Sequence, residues 1–325
     1  MKNFYKNRKI LVTGGTGMIG IQLVKSLVNL GAKVSVASLE TNSALPKNVK
    51  HHKTDLTHLS NCIKITKGID YVFHLAGIKG SPLMTKKHPF IFMTPMILFN
   101  TNMIYSAKIN NIKRFLYTSS IGVYQPKAIL KEDDVWKTQP SKNDWFSGWA
   151  KRIGELNAEA CRISSKTKIT IVRPANVFGP YDNFDPKTGM VVPSLISKFL
   201  DSKNYKVEVW GDGLSIRDFI YSKDVANAML FIMKKNPTQA VNIGSGKGVK
   251  IKDLVNIINS YFDNKYQIIW NKNFPSGDKQ RIMSINKLNK LGFKNRIDFK
   301  KNIFQTIDWF RKNRKIKRYD VFKSK

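Results

Sequence analysis

Three glycines spaced three residues apart are the first feature of this chain that suggests chemistry. Gly14, Gly17 and Gly20 lie between an apolar run that ends at Val12 and an amphipathic stretch that begins at Ile19. Glycines at these positions allow a sharp turn from strand to helix, let a phosphate approach the backbone amides, and let the helix pack closely against a sheet. The N-terminus of that helix also carries partial positive charge. The pattern predicts a dinucleotide-binding turn, whose contacts with the cofactor come from Gly14, Gly17, Met18, Ile19 and Gly20.

The end of the second predicted strand, residues 33–37, bears on which dinucleotide binds. An acidic residue is expected there to bond the hydroxyls of the adenosine ribose, but Ser38 occupies the position. No Arg or Lys lies between residues 34 and 46, so a 2′-phosphate would meet no cation in this segment and would lie near Glu40. The sequence therefore favours NAD, with NADP as the alternative.

Two further predicted strands end in residues that can contact a ligand. Residues 71–77 have the composition of a buried parallel strand that ends in a glycine loop, and Lys79 follows in that loop. Residues 114–120 form a second such strand, which ends in hydroxyl side chains including Ser120. Ligands of parallel sheets bind beyond the carboxyl ends of the strands. We therefore expect the chemistry of this protein at that edge.

The order of the predicted elements defines the fold. Strands and helices alternate as far as residue 172 and then become shorter and mixed. This order predicts an α/β protein: a doubly wound parallel (Rossmann) sheet with a smaller C-terminal α+β substrate lobe. We expect residues 1–172, with a returning segment at about 215–245, to form the dinucleotide-binding domain, and residues 173–325 to form mainly the substrate-binding lobe. The remaining predicted helices are 100–107, 145–160, 191–200, 224–234, 252–262, 285–291 and 299–313, and the remaining strands end near residue 52 or cover 168–172, 207–210 and 240–242.

The charge balance is the most unusual global property. The chain has 56 Lys and Arg against 22 Asp and Glu, a formal net charge of +34. The lysines are spread along the whole chain, so a dedicated nucleic-acid surface is not expected. Only residues 311–318 concentrate basic side chains, and there we expect a solvated helix end.

The cysteines and the apolar runs bear on where the protein works. Cys62 and Cys161 are too few and too isolated for a disulfide framework or a metal site, which suits a reducing cytoplasm. Residues 1–6 lack the apolar core of a signal peptide. The longest apolar run, residues 89–99, is too short to span a membrane and is interrupted by Pro95. We expect a loop and a helix start near the cofactor in that run.

Six sequence signatures in a fixed order carry a family resemblance that covers nearly the whole chain. The signatures are TGGTGMIG at 13–20, HLAGIK at 74–79, TSSIGVY at 118–124, GWAKRIGE at 148–155, RPANVFGP at 173–180 and RDFI at 217–220. With them the chain resembles the extended short-chain dehydrogenase/reductase family, in particular nucleotide-sugar epimerases and dehydratases such as UDP-glucose 4-epimerase and GDP-fucose synthase.

The resemblance implies roles for individual residues. On the cofactor side it implies that Asp55 and the adjoining Leu56 lie near the adenine, Lys79 on the phosphates, Asn100 beside the active site and Lys151 on the nicotinamide ribose, with Ser120 as the catalytic hydroxyl. On the substrate side it implies that Ser120, Asn176, Arg217 and Arg281 bind a nucleoside-diphosphate sugar. It also implies a homodimer in which the helices near Asn100 and Ser147 pack against their symmetry mates.

The chain departs from the family at the residue that usually exchanges the proton. The family has Tyr-x-x-x-Lys, because a spacing of four residues places the lysine beside the phenol and favours the phenolate. Four residues before Lys151 stands Ser147, whose aliphatic hydroxyl does not ionise in a useful range. Either another group acts as the base, with Tyr124, Tyr181, Asp144 and His88 as candidates, or the site binds its ligands with little turnover.

These features predict an NAD-dependent nucleotide-sugar epimerase that oxidises the sugar transiently at C4. A reductase or a dehydratase is the nearest alternative, although residues 121–122 are Ile-Gly where a dehydratase would carry an acidic pair. An alternative of another class is a catalytically weak regulatory protein that binds NAD and a nucleotide sugar and uses its basic tail on RNA or an anionic membrane. In the enzyme, Ser120, Ser147 and Lys151 are the expected catalytic group.

Overall fold

The computed structural model describes residues 1–40, 44–80, 82–274, 277–294 and 298–314. The strands are β1 (Lys9–Thr13), β2 (Lys33–Ser38), β3 (Lys50–Lys53), β4 (Tyr71–His74), β5 (Arg114–Thr118), β6 (Ile129–Leu130), β7 (Lys168–Pro174), β8 (Asn176–Phe178), β9 (Lys206–Trp210), β10 (Ile216–Arg217), β11 (Phe219–Tyr221), β12 (Val241–Ile243), β13 (Val249–Lys250), β14 (Gln267–Asn271) and β15 (Gln280–Met283). The helices are α1 (Lys2–Tyr5), α2 (Met18–Asn29), α3 (Leu59–Thr66), α4 (Pro82–Lys87), α5 (Pro89–Ile109), α6 (Trp145–Ile163), α7 (Val191–Asp201), α8 (Ser222–Lys235), α9 (Ile251–Ser260), α10 (Asn286–Lys290) and α11 (Phe299–Lys312).

Seven strands form one parallel sheet in the order β12-β7-β5-β4-β1-β2-β3. The strand order reverses at β1, because β1 pairs with β2 on one side and with β4 on the other. This reversal of strand order opens a crevice at the carboxyl ends of β1 and β4, which is where such sheets bind ligands. The expected doubly wound sheet is present.

Both faces of the sheet are covered by helices, as the alternation along β1 shows. Ile10 and Val12 point into an apolar core shared with α2 and α8, whereas Leu11 points into a second core shared with α3, α5 and α6. Neighbouring side chains of a strand point to opposite faces, so a strand buried on both sides must be apolar throughout. This is why the sheet strands were visible as continuous apolar runs.

A third apolar core lies in the C-terminal half and is formed by α7, α9, α11 and the strands around them. Here β13, β10, β15 and β6 form a four-stranded sheet, and β11–β8 and β14–β9 form two pairs. The chain passes between the two parts more than once: β6 joins the smaller sheet before β7 is reached, and β12 returns to the edge of the large sheet. The domain boundaries given above stay a prediction.

The expectation of a loop at residues 89–99 is wrong, because α5 begins at Pro89 and continues to Ile109. Proline suits the first turn of a helix, where its missing N–H has no partner to lose. Pro95 lies inside the helix, and the burial of Phe92 and Met96 offsets its lost hydrogen bond. Apolar side chains surround this helix on all sides, so the sequence shows no 3.6-residue period there.

The described residues include no cluster of His, Cys, Asp and Glu that could hold a metal ion. Both cysteines are buried free thiols. In the described ranges no helix has the length and apolar content needed to cross a bilayer. The end of the basic segment, beyond residue 314, lies outside the described residues.

Candidate active site

The glycine turn connects β1 to α2 and is too crowded for side chains. Gly14 has φ +64°, and a Cβ there would lie 3.0 Å from the backbone nitrogen of Ala76. A Cβ on Gly20 would lie 2.3 Å from the carbonyl oxygen of Gly14. Gly17 caps the helix, and its N–H donates to Gly14 O at 3.0 Å. The first N–H groups of α2, beginning at Met18, have no partner within the helix and are available to a phosphate.

A buried hydrogen-bonded chain connects this turn to α5. Ala76 N–H donates to Thr13 Oγ1 at 3.2 Å. His74 Nε2–H donates to Asn100 Oδ1 at 2.9 Å, which leaves Nδ1 of the neutral ring to accept from the Thr13 hydroxyl at 2.7 Å. Burial, with a smaller effect from the charge of Lys151, lowers the pKa of His74 to about 3. The imidazole is therefore neutral and fixes Asn100 beside the carboxyl ends of β1 and β4.

Lys151 projects from α6 to the same edge of the sheet. Its Nζ donates to the carbonyl oxygen of Thr118 at 2.8 Å and lies 5.4 Å from the centre of the Tyr117 ring. A Cβ on Gly77 would lie 3.7 Å from Nζ, so the ammonium faces the loop after β4. Burial lowers the pKa of Lys151 to about 8, and Glu155 opposes this shift. This position is consistent with a contact between Lys151 and the nicotinamide ribose. That contact stays a prediction.

Two buried hydroxyls between these groups have no hydrogen-bond partner within the described part of the chain. They are Thr118 Oγ1 and Ser119 Oγ, directly before Ser120. Buried polar groups are rarely left unpaired, and ligands or water commonly satisfy them. The glycine turn, whose three glycines carry no side chains, lies at one end of the crevice. The two hydroxyls and Lys151 lie at the other end. A dinucleotide that lies across the crevice would contact both ends.

Ser38 at the end of β2 has a neighbour that the sequence analysis missed. Its hydroxyl donates to Glu40 O at 2.7 Å and accepts from His51 Nε2–H at 2.7 Å. Lys53 on β3 is the register partner of Ser38. Lys53 lies outside residues 34–46, and only the pairing of β2 with β3 brings it beside Ser38. A 2′-phosphate would thus have a cation within the same pair of strands.

Asp55 and Leu56 follow β3 on the side expected for the adenine. Asp55 Oδ1 accepts hydrogen bonds from the N–H and the hydroxyl of Thr57, both at 2.8 Å. The Leu56 side chain is buried, and its carbonyl oxygen accepts from Asn102 Nδ2 at 3.1 Å. Their predicted contact with the adenine stays a prediction.

Lys79 reaches across to the segment after β8. Its Nζ lies 2.8 Å and 3.0 Å from the two carboxylate oxygens of Asp182 and 3.3 Å from Val177 O. This ion pair connects the loop after β4 to the C-terminal half, and no local sequence pattern identifies Asp182 as the partner of Lys79. The predicted contact of Lys79 with the cofactor phosphates stays a prediction and would need the ammonium to share its bonds with the phosphate.

Ser147 lies one helical turn before Lys151, where the tyrosine of the family would stand. Its hydroxyl donates to Asp144 O at 3.2 Å. Ser120 lies in the segment between β5 and α6. Its Oγ accepts a hydrogen bond from Gly122 N–H at 3.0 Å. A Cβ on Gly122 would lie 3.4 Å from Ser120 Oγ and 3.4 Å from Asp144 Cγ. The structure therefore brings Ser120 and Asp144 to the same small space.

The structure argues against Tyr124 as the base. Its hydroxyl donates to Asn242 Oδ1 at 2.6 Å and accepts from Arg173 Nη1 at 3.1 Å, and the ring is buried. Burial raises the pKa of the phenol, with the Arg173 charge opposing, so Tyr124 stays protonated. Tyr181 packs its ring 4.6 Å from that of Trp309 on α11. Both phenols thus have structural contacts that explain their positions.

The expected substrate residues lie on the short strands of the C-terminal half. Arg217 on β10 and Arg281 on β15 are register partners in adjacent parallel strands. Arg281 donates through Nη2 to Ile121 O at 2.8 Å and through Nη1 to Asp144 Oδ2 at 2.7 Å. Asn176 on β8 donates through Nδ2 to Asp218 O at 2.9 Å, and Asp218 directly follows Arg217. Arg281 therefore lies beside the residue that follows Ser120, and Arg217 lies next to Arg281 on the adjacent strand.

A buried ion pair holds α6 against β7 and gives a test of the scaffold. Glu155 and Arg173 meet at 2.6 Å and 2.9 Å, with both side chains 2% exposed. Removing one member leaves the other charge buried and unpaired, so Glu155→Ala should lower the free energy of unfolding by about 3–5 kcal/mol in urea titrations. Glu159→Ala breaks only an exposed pair with Arg162 and should cost less than about 1 kcal/mol. Equal losses would contradict this account.

The fold and this site define a dinucleotide-dependent α/β enzyme. A profile described as "NAD dependent epimerase/dehydratase family" matches residues 10–244, and the chain belongs to this family. It is 29% identical to "Putative GDP-L-fucose synthase 2" of Arabidopsis thaliana over 95% of this chain and 93% of that protein. The family resemblance, the fold class and NAD as the cofactor of the family are thereby confirmed.

Two solved structures are similar over nearly the whole chain. A UDP-N-acetylglucosamine 4-epimerase from Methanobrevibacter ruminantium M1 has a TM-score of 0.86 at 28% identity, covering 95% of this chain and 99% of that one. A UDP-glucose 4-epimerase from Thermotoga maritima has a TM-score of 0.83 at 25% identity, covering 94% and 99%. The C-terminal half therefore has the architecture of these epimerases as well.

Proposed function

We propose that this protein is a nucleotide-sugar epimerase that oxidises C4 of the sugar transiently and returns the hydrogen to the other face. The observation that carries the proposal is the bond of Arg281 to Ile121 O. Arg281 thus contacts the residue that follows Ser120, and arginine side chains suit the two phosphates of a nucleoside-diphosphate sugar. Lys151, which would hold the cofactor, bonds to the carbonyl oxygen of Thr118, two residues before Ser120.

Each residue has a distinct task in this proposal. NAD, when bound at the glycine turn, supplies the acceptor and later the donor of the hydride. Lys151 holds the nicotinamide ribose, and Ser120 positions the sugar hydroxyl by a hydrogen bond. Arg217 and Arg281 bind the diphosphate, while Asn176 contacts the substrate beside them. Fixed positions of both reactants account for much of the rate that such an enzyme can gain.

A panel of nucleotide sugars tests this function. Purified protein should show the added ultraviolet absorbance of tightly held NAD, and incubation with UDP- and GDP-sugars should yield a second epimer of one of them without consuming external cofactor. Products are measured by chromatography and proton NMR. If no sugar on the panel changes while the protein binds NAD and nucleoside diphosphates, the epimerase proposal is wrong and the binding-protein alternative applies.

A reductase is the second candidate, and Lys53 favours it. Paired beside Ser38, this exposed lysine offers a cation for the 2′-phosphate of NADPH. A reductase would consume NADPH with a keto sugar nucleotide, whereas an epimerase would not. The relative from Arabidopsis thaliana is named as a GDP-L-fucose synthase, so GDP-linked keto sugars belong in the same panel. A dehydratase has no support in the Ile-Gly pair after Ser120.

We infer that the protein forms a homodimer through α5 and α6. These helices pack against each other and still leave large apolar side chains exposed, among them Leu156 at 52% and Ile163 at 78%. Others on the same two helices are Leu98, Tyr105 and Ile109. Exposed apolar surface of this extent on two adjacent helices is typical of an interface. Two such pairs related by a twofold axis would bury it.

Charge placed on this surface should separate the subunits. Light scattering at micromolar concentration should give a dimer for the wild-type protein and a monomer for the double variant Leu156→Glu and Ile163→Glu. Leu214→Glu, at a residue 56% exposed in the C-terminal half, should leave the dimer intact. A wild-type monomer at that concentration would show the inference to be wrong.

We further place the enzyme in the cytoplasm, because its two cysteines are buried as free thiols. The positive charge follows the lysines over the whole chain and gives no separate nucleic-acid function. Nucleotide sugars are anionic, so a positive field around the crevice should raise their encounter rate at low salt.

Ser147 should assist turnover without being the base. Its hydroxyl is held by Asp144 O and does not ionise in the working range, so Ser147→Ala should reduce kcat by less than about tenfold, below the effect of losing a general base. The pH profile of kcat should keep its shape, since the group that titrates remains. A loss of 100-fold or more, or a lost limb of the profile, would make Ser147 part of the proton path.

A further inference from the structure

The tyrosine that exchanges the proton in this family is replaced by Ser147, and the structure places a carboxylate close to the catalytic hydroxyl instead. Asp144 Cγ and Ser120 Oγ each lie 3.4 Å from the point where a Cβ of Gly122 would be. The two groups therefore flank Gly122 at a separation of at most about 7 Å, which one sugar hydroxyl that is hydrogen-bonded to both groups can span. Asp144 is part-exposed, with 26% of its side chain accessible.

Asp144 is paired with an arginine in the ligand-free protein. Its Oδ2 lies 2.7 Å from Arg281 Nη1, and Asp278 Oδ2 lies 3.3 Å from the same atom. Burial lowers the pKa of Arg217, the positive charge of Arg281 lowers it further, and Asp278 and Asp144 oppose both effects. Two arginines and two aspartates therefore share one site, and their charges balance.

A bound diphosphate changes this balance. It carries negative charge and acceptor oxygens to the arginine pair, and arginine forks bind phosphate oxygens in the same bidentate manner as carboxylates. Asp144 and the diphosphate would then compete for Arg281 and repel each other. Asp278 is held elsewhere too, since Asn143 Nδ2 donates to it at 3.0 Å and Ser141 Oγ at 3.3 Å. Asp144 makes the shorter contact with Arg281 Nη1, at 2.7 Å against 3.3 Å for Asp278, so it occupies the position that the diphosphate would take.

We propose that the substrate diphosphate displaces Asp144 from Arg281 and that the freed Asp144 carboxylate takes the proton of the sugar hydroxyl held by Ser120. This inference rests on the proposed epimerase function. In the oxidation step the O–H proton moves to the carboxylate while the C4–H hydrogen leaves with its electron pair to the nicotinamide, so a keto sugar and a neutral Asp144 result. In the return step the hydride goes back to the opposite face of the keto sugar and the Asp144 proton goes to the C4 oxygen, which gives the epimer and restores the carboxylate.

The displacement gives a reason for the base to act only when substrate is bound. In the ligand-free protein Asp144 Oδ2 is occupied by its hydrogen bond with Arg281 Nη1. The carboxylate oxygen becomes available to a sugar hydroxyl only when the diphosphate takes its place at Arg281. Proton transfer by a positioned side chain contributes about 10²–10⁴-fold to rate, which sets the size of the effect to be measured.

Asp144→Asn and its control Asp133→Asn test both halves of this proposal. Asp144→Asn removes a competitor for Arg281, so calorimetry with UDP and GDP should show binding about 2- to 5-fold tighter than in the wild-type protein. Turnover of the nucleotide sugar used by the wild-type protein should fall at least about 100-fold in Asp144→Asn. Asp133 is 71% exposed and pairs with Lys287 at the surface, so Asp133→Asn should leave nucleoside-diphosphate binding unchanged and kcat within about threefold. Circular dichroism checks the fold of both.

Opposite results would overturn the proposal. Weaker nucleoside-diphosphate binding in Asp144→Asn would show that the carboxylate supports the anion site rather than competing with the substrate. Wild-type turnover in that variant would exclude it as the base. Asp144→Glu, which keeps a carboxylate, should retain measurable turnover, and a loss equal to that of Asp144→Asn would also count against proton transfer. If the wild-type protein turns over no nucleotide sugar, the proposed function fails, and the calorimetry alone decides on the displacement.

Discussion

Replacing Lys151 by methionine should abolish turnover and at the same time stabilise the cofactor-free fold. Methionine keeps most of the buried chain but not the charge. The ammonium is buried and donates to Thr118 O, and burial lowers the pKa of Lys151 to about 8 from the usual 10.5. This shift corresponds to about 3 kcal/mol at most. Loss of the bond to Thr118 offsets part of it, so a net gain of about 1–2 kcal/mol is expected at pH 7.

The pH dependence gives the sign of this effect. Between pH 8 and 10.5 the unfolded chain holds its lysine proton while the folded protein has lost it, so the unfolded state binds more protons and wild-type stability rises with pH in that window. Lys151→Met lacks this rise. Its advantage over the wild-type protein should therefore be largest below pH 8 and vanish above about pH 10.5.

Urea unfolding from pH 7 to 10.5, together with calorimetry of NAD binding, measures both effects. Lys113→Met is the matched control, because that lysine is 61% exposed and pairs with Asp70 at the surface; it should change stability by less than about 1 kcal/mol and leave turnover intact. A destabilised Lys151→Met at pH 7, or one that retains turnover, would contradict the assigned position of the lysine.

Gly20→Val should remove NAD binding by at least about 100-fold, or more than about 2.7 kcal/mol. A Cβ at Gly20 would lie 2.3 Å from Gly14 O and 2.7 Å from Gly15 Cα. Both neighbours are backbone, so α2 itself must move away from the turn and carry its N-terminal amides out of reach of the phosphates. We expect a similar but smaller loss for Gly17→Val, since Gly17 caps the helix.

Calorimetry with NAD and thermal unfolding measure this loss separately from stability. Gly68→Asn serves as the control: Gly68 has φ +73° with nothing within 4 Å of its Cβ position, and asparagine tolerates that conformation. This variant should bind NAD as the wild-type protein does. A folded Gly20→Val protein with native NAD affinity would refute the assignment of the turn.

Local patterns in the sequence carried much of the fold and part of the site. The glycine turn could be identified because its three glycines, the strand before it and the helix after it lie within about 20 consecutive residues. The parallel strands were visible because burial on both faces makes them apolar throughout. Helix α5 was missed over residues 89–99 for the opposite reason: a helix that is apolar on all sides has no period to detect. The exposed apolar side chains of α5 form one surface with those of α6 only when the two helices pack together in the fold.

Only the tertiary structure decided the contacts between residues that are far apart in sequence. Strand register brings Lys53 beside Ser38 and Arg217 beside Arg281, and no local pattern encodes either pairing. The fold also buries Tyr124 in a hydrogen-bonded network while it leaves Asp144 next to Ser120 and under Arg281. The physical reason is that residue type limits what a side chain can do, whereas burial and neighbouring charge, which arise only when distant segments pack together, decide which of the possible groups can exchange a proton or bind an anion.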